Sequence, residues 1–117
     1  MATDIQPPVE PSPEGARPGE EIIERAWTYY AQGKYSEAEA EFRAAAFHDD
    51  RLIDAHYGLA VSSRSQGKTE EAVGALKKAQ QLVDDETIDV NPNRRTILRQ
   101  LITAQLSILL TSRPQVA

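Results

Sequence analysis

The densest group of chemically capable side chains lies in "HDDRLIDAH", where His48 and His56 bracket Asp49, Asp50 and Asp54. Two imidazoles and three carboxylates within nine residues are donor types that hold zinc or another divalent ion. The spacing argues against that use, because no histidine pair shows the i, i+4 separation that sets two ligands on one helix face. Aspartates in a turn are also what helix caps and solvated loops employ. A second acidic run, "DDETIDVNPN", lacks the glycine and the terminal glutamate of a calcium-binding loop. The chain has no cysteine, which removes thiolate nucleophiles, disulfides and cysteine zinc sites. It also has no phosphate-binding glycine loop, dinucleotide fingerprint or nucleophile elbow. The sequence therefore predicts no catalytic residue, no metal and no cofactor.

Composition narrows the class further. The 117 residues suffice for one small domain, and 26% charged with 40% apolar residues is ordinary for a globular protein. The net charge of −5 conceals a gradient. Residues 1–50 carry eleven acids and four bases, whereas residues 51–117 carry seven acids and nine bases. Arg94, Arg95 and Arg99 are too few for a nucleic-acid footprint, and the expected role of such charges is at solvated helix ends. The apolar-rich stretch 97–110 is broken by Arg99, Gln100, Thr103, Gln105 and Ser107, well short of the roughly 18 apolar residues of a membrane span. The N-terminus has no basic and apolar leader pattern, so the expected compartment is the cytoplasm.

The elements that must position any site are helices. Five of the seven prolines fall in residues 1–18, which read as a disordered tail containing a P-x-x-P pair at Pro8 and Pro11. From Glu20 the apolar residues Ile22, Ile23, Ala26, Trp27 and Tyr30 recur at helical spacing until Gly33. Ser36 with Glu39 has the form of a capping box, opening a second helix that runs to about His48. A third covers Leu52 to about Ser65, and Thr69 caps a fourth that ends near Val83. Asn91 as N-cap and Pro92 at the first helical position open a fifth, ending near Ser112.

Two of these segments echo each other. "QGKYSEAEAEF" at 32–42 and "QGKTEEAVGAL" at 66–76 match at an offset of 34 residues. The slots that repeat are Ile22, Arg25, Ala26, Tyr29, Ala38, Phe42 and Asp50, then His56, Leu59, Ala60, Ser63, Ala72, Leu76 and Asp84. A helix–turn–helix unit of this period resembles the tetratricopeptide repeat family. Arg25 departs from the usual leucine, and neither copy has the terminal proline. The predicted class is all-α, a helical-hairpin repeat array of five helices. It divides into tail 1–18, repeats 19–52 and 53–86, loop 87–92, capping helix 93–112 and tail 113–117. Ala26, Ala38, Ala60 and Ala72 would let helices approach to about 8–10 Å, and Phe42 and Leu76 would fill the space between hairpins. His56 then falls in a packing slot rather than a ligand set.

The resemblance implies a non-catalytic adaptor that binds a peptide or helix of a partner protein on the first helix of each hairpin. Projecting that face selects Ile23, Trp27 and Tyr30, followed by Tyr57, Val61 and Arg64, with Glu20, Ala31, Asp54 and Ser65 beside them. Some members clamp a chaperone's C-terminal carboxylate with basic residues and asparagine. Here Ile23, Trp27 and Gly58 stand in those slots, which disfavours that role. A small chaperone for an assembly or secretion subunit is one alternative, and a metal-dependent enzyme is the cross-class one. A homo-oligomeric scaffold is another, since the broad apolar arc of the fifth helix suits a homodimer through Leu101, Ile108 and Leu109.

Overall fold

The computed structural model of the chain describes residues 18–112. The two expected tails and the Pro8/Pro11 pair lie outside the described residues, apart from Pro18, which opens the first helix. Five α-helices follow: α1 (Pro18–Ala31), α2 (Tyr35–His48), α3 (Ile53–Ser65), α4 (Thr69–Val83) and α5 (Pro92–Ser112). No strand occurs among the described residues, so the class is all-α.

The sequence echo is an echo of backbone geometry. Gly33 and Gly67 have φ of 78° and 79°, the left-handed region that a residue with Cβ enters at a cost. Around each, the same bonds close the helix. Gly33 N–H donates to Tyr30 O at 3.0 Å and Lys34 N–H to Tyr29 O at 2.9 Å; Gly67 donates to Arg64 O at 2.9 Å and Lys68 to Ser63 O at 2.9 Å. These paired bonds are the Schellman motif, which satisfies the last carbonyls of α1 and α3. The next helix starts at once, with Ala38 N–H on Lys34 O and Ala72 N–H on Lys68 O.

That immediate restart corrects the expected caps. Lys34 and Lys68 occupy the N-cap positions of α2 and α4 without a side-chain cap bond, so Ser36 and Thr69 already lie inside their helices. Glu39 does not reach back to the helix start. It is buried, and its carboxylate accepts hydrogen bonds from Arg43, Gln66 and Lys68. The fifth helix opens as expected: Asn91 Oδ1 accepts from the backbone N–H of Asn93 at 2.8 Å and of Arg94 at 3.3 Å.

Helices pack in chain order, α1 on α2, α2 on α3, α3 on α4 and α4 on α5, with α1 also touching α3. Ala26, Ala38 and Ala72 are fully buried and Ala60 nearly so, leaving no side-chain bulk between adjacent helices. Phe42 and Leu76, equivalent in the echo, are 0% and 1% exposed and centre two core clusters. Leu59 touches both clusters and joins them.

Helix α5 closes the second cluster. Leu98, Ile102, Leu106 and Leu109 recur at i, i+4, i+8 and i+11 and bury one stripe with the residues of α4. Leu109 is 6% exposed, which corrects its expected place on an outer interface; Leu101 and Ile108 remain 41% and 47% exposed. The arginines at the start of α5 are not merely solvated. Arg95 donates to the carbonyls of Val83, Asp85 and Ile88, and Arg99 pairs with Asp84. They bind the 84–91 loop to the helix that follows it.

Candidate functional site

Helical spacing sets Trp27 and Tyr30 one turn apart on α1, and their rings meet edge to face with centroids 5.5 Å apart. Trp27 also stands edge-on to Phe42 at 4.7 Å and reaches Tyr57 of α3 at 6.5 Å. Tyr30 in turn meets Tyr35 at 5.0 Å. The aromatic group thus starts in the core at Phe42 and emerges through three half-buried rings, Trp27, Tyr30 and Tyr57.

Polar side chains rim these rings. The Tyr30 hydroxyl and Ser65 Oγ are 3.2 Å apart, tying α1 to α3. Arg64 donates from Nη1 to Gln105 Oε1 at 2.7 Å, tying α3 to α5. Burial pushes the pKa of the Tyr57 phenol above its ordinary value, and the neighbouring Tyr30 adds to that. Gln105 and Arg64 oppose the shift without reversing it. Tyr57 is therefore a neutral phenol at physiological pH, with an apolar ring and a hydrogen-bonding tip.

Of the six residues expected along this face, the structure brings together Trp27, Tyr30, Tyr57 and Arg64. Ile23 and Val61 are each 8% exposed and belong to the interior. Each lies four residues from an aromatic and so shares its helix face; packing against the neighbouring helices, not spacing, encloses them. Gln105 was not expected here. Its trace in the sequence is a polar residue beside an otherwise apolar stripe, Leu98, Ile102, Leu106 and Leu109.

A separate cleft of about 410 Å³ lies where the start of α1 faces the 49–53 and 87–91 segments. Its walls include Glu20, Arg51, Asp54, Thr87 and Arg94. Within it Arg94 pairs with Asp54, and Arg51 donates to Thr87 Oγ1 at 3.0 Å.

The "HDDRLIDAH" segment is used for folding. His56 is buried, and its Nε2 lies 3.0 Å from the Asp50 carbonyl oxygen, closing the turn between α2 and α3. Asp49 Oδ1 accepts from the Arg51 N–H at 3.0 Å. Among the described residues no group of three or more histidine, aspartate or glutamate side chains is placed to hold a metal. None of the described helices is long and apolar enough to cross a membrane. No protein-family model matches the chain, and no curated protein matches it significantly.

Proposed function

We propose that the chain is a tetratricopeptide-type, non-catalytic adaptor of the cytoplasm that takes an amphipathic helix of a partner protein against α1 and α3. The observation that carries this is the half-buried aromatic group Trp27, Tyr30 and Tyr57, rimmed by Ser65, Arg64 and Gln105. Aromatic residues and arginine are the side chains that dominate binding when a partner covers them. Rings held by their own core contacts lose little conformational freedom on binding, which favours affinity. An amphipathic helix presents apolar residues at i, i+3, i+4 and i+7, a stripe that matches a row of rings crossing two adjacent helices. The repeat part of the proposal is supported by the bond-for-bond match of the turns at Gly33 and Gly67.

The test begins with the protein that co-purifies with the native chain, reduced to the segment that binds. Its dissociation constant is measured against wild type, Tyr57→Ala and Phe47→Ser, the last altering an aromatic on α2 that is 89% exposed. Loss of about tenfold or more in Tyr57→Ala, with Phe47→Ser unchanged, is expected for a binding hot spot. Unchanged affinity in Tyr57→Ala moves the site elsewhere.

A further inference from the structure

Helix α5 carries two apolar stripes, and among the described residues only one is buried. The first, Leu98, Ile102, Leu106 and Leu109, is buried. The second is Ile97, Leu101, Ala104 and Ile108, at successive steps of four, three and four residues. Ile97, Leu101 and Ile108 are 55%, 41% and 47% exposed. A four-three-four step is the seam spacing of two helices packed lengthwise. The stripe is distinct from the groove, because Arg94 and Gln105 on the neighbouring side of α5 turn to α3.

We infer that this second stripe pairs with its own copy, forming an antiparallel α5–α5 dimer about a two-fold axis between residues 102 and 103. Two features choose that occupant. The first is charge. The only charged residues on α5 are Arg94, Arg95 and Arg99, and all three are engaged inside the chain, with Asp54, loop carbonyls and Asp84. The stripe and its flanks Gln100, Ser107 and Thr111 carry no charge that would recruit an acidic or a basic helix. A second uncharged stripe of the same spacing fits it, and α5 of another copy is one.

The second feature is the order of sizes. An antiparallel two-fold sets Ile97 of one copy against Ile108 of the other, and Leu101 against Ala104. The central layers then place a large residue on a small one, which allows close approach of the helices. A parallel pair would stack leucine on leucine and alanine on alanine, one layer overfilled and one empty. It would also set the three arginines of each copy and two positive helix ends side by side, whereas the antiparallel pair opposes the helix dipoles.

Sedimentation tests the inference. Wild-type protein should move from 12.9 kDa towards twice that mass with rising concentration. Leu101→Lys alone and Ala104→Glu alone should each be monomeric with unchanged helicity, and the double variant should regain the dimer through paired lysine and glutamate across the axis. The orientation is read from cysteines placed in this cysteine-free chain. In the antiparallel pair two copies of residue 97 lie about 16 Å apart, eleven residues at about 1.5 Å each, beyond disulfide reach. Ile97→Cys protein alone should not cross-link with itself, while mixed Ile97→Cys and Ile108→Cys proteins should cross-link to each other. A mass of 12.9 kDa at every concentration, or efficient self-cross-linking of Ile97→Cys, overturns it.

Discussion

The ring of Phe42 occupies the space where a side chain on Gly58 would stand. A Cβ built on Gly58 would fall 2.1 Å from Phe42 Cε1 and 2.4 Å from two further ring atoms. The first and second hairpins therefore meet through a missing methyl group. Gly58→Ala should destabilise the fold by about 1–3 kcal/mol even though alanine favours the helix, because the buried ring has no room to retreat. Gly74→Ala provides the contrast. It sits on α4 with nothing within 4 Å of its built Cβ, so it should gain up to about 1 kcal/mol from helix propensity. Denaturant midpoints of the two variants should move in opposite directions.

Glu39 joins the two hairpins electrostatically. Burial pushes its carboxyl up, but hydrogen bonds from Gln66, Lys68 and Arg43 outweigh that and hold it below the ordinary glutamate value. A carboxylate more acidic in the folded chain than in the unfolded one stabilises at neutral pH. That contribution is lost as pH falls through the ordinary value of about 4.3 towards the folded one. Asp85, held down chiefly by its hydrogen bonds from Thr87, acts in the same direction. Stability measured from pH 7 down to pH 3 should decline, and Glu39→Gln should flatten the curve without levelling it. An unchanged slope in Glu39→Gln would show that the network contributes nothing to folding.

The donors of Glu39 mark the limit of what is legible in the sequence. Helices, the glycine turns and the Asn91 cap are local devices, decided within a few residues, and they appear where the spacing places them. Glu39 lies three residues after Ser36 and so has the form of a cap. Its actual donors include Lys68, 29 positions away, which no local pattern announces. The same limit applies to the candidate groove. An apolar stripe on α1 identifies the face of Trp27 and Tyr30, but only the position of the next hairpin decides that Ile23 and Val61 lie inside it. On α5 two apolar stripes run side by side, and the packing of α4 assigns Leu109 to the inner one.

His56 supplies a pH effect of different range. Burial is the largest influence and lowers its pKa below the ordinary histidine value, while the Asp50 carbonyl opposes this. The folded chain therefore holds the imidazole neutral more strongly than the unfolded chain does. Its contribution is complete above the unfolded value of about 6.5 and is lost as pH falls below it. Imidazole resonances followed by NMR should show His56 titrating below that value. His56→Ala should remove the pH dependence of stability between neutrality and the carboxylate range, together with the tie to Asp50.

Ser62 and Ser63 are fully buried in α3, and neither hydroxyl has a hydrogen-bond partner among the described residues. Each has given up water without compensation, and alanine is the better helix former. Ser62→Ala and Ser63→Ala should each stabilise the fold by up to about 1 kcal/mol. Thermal or denaturant unfolding decides this directly. A loss of stability on either substitution would mean that the hydroxyl is engaged in solution.

Trp27 and Arg64 separate binding from folding. The Trp27 ring packs on fully buried Phe42, so Trp27→Ala removes part of the first hairpin's core and should destabilise by about 3 kcal/mol. Lost binding in that variant would be ambiguous on its own. Arg64 is exposed, and its described bond is to Gln105, so Arg64→Glu should leave stability within about 0.5 kcal/mol of wild type. If the aromatic face holds the partner, Arg64→Glu and Tyr57→Ala weaken binding while the protein stays folded, and Trp27→Ala weakens it beyond what its unfolded fraction explains. Wild-type affinity in the first two variants, with a loss in Trp27→Ala that follows unfolding alone, would leave the rings as core and place the partner on another surface.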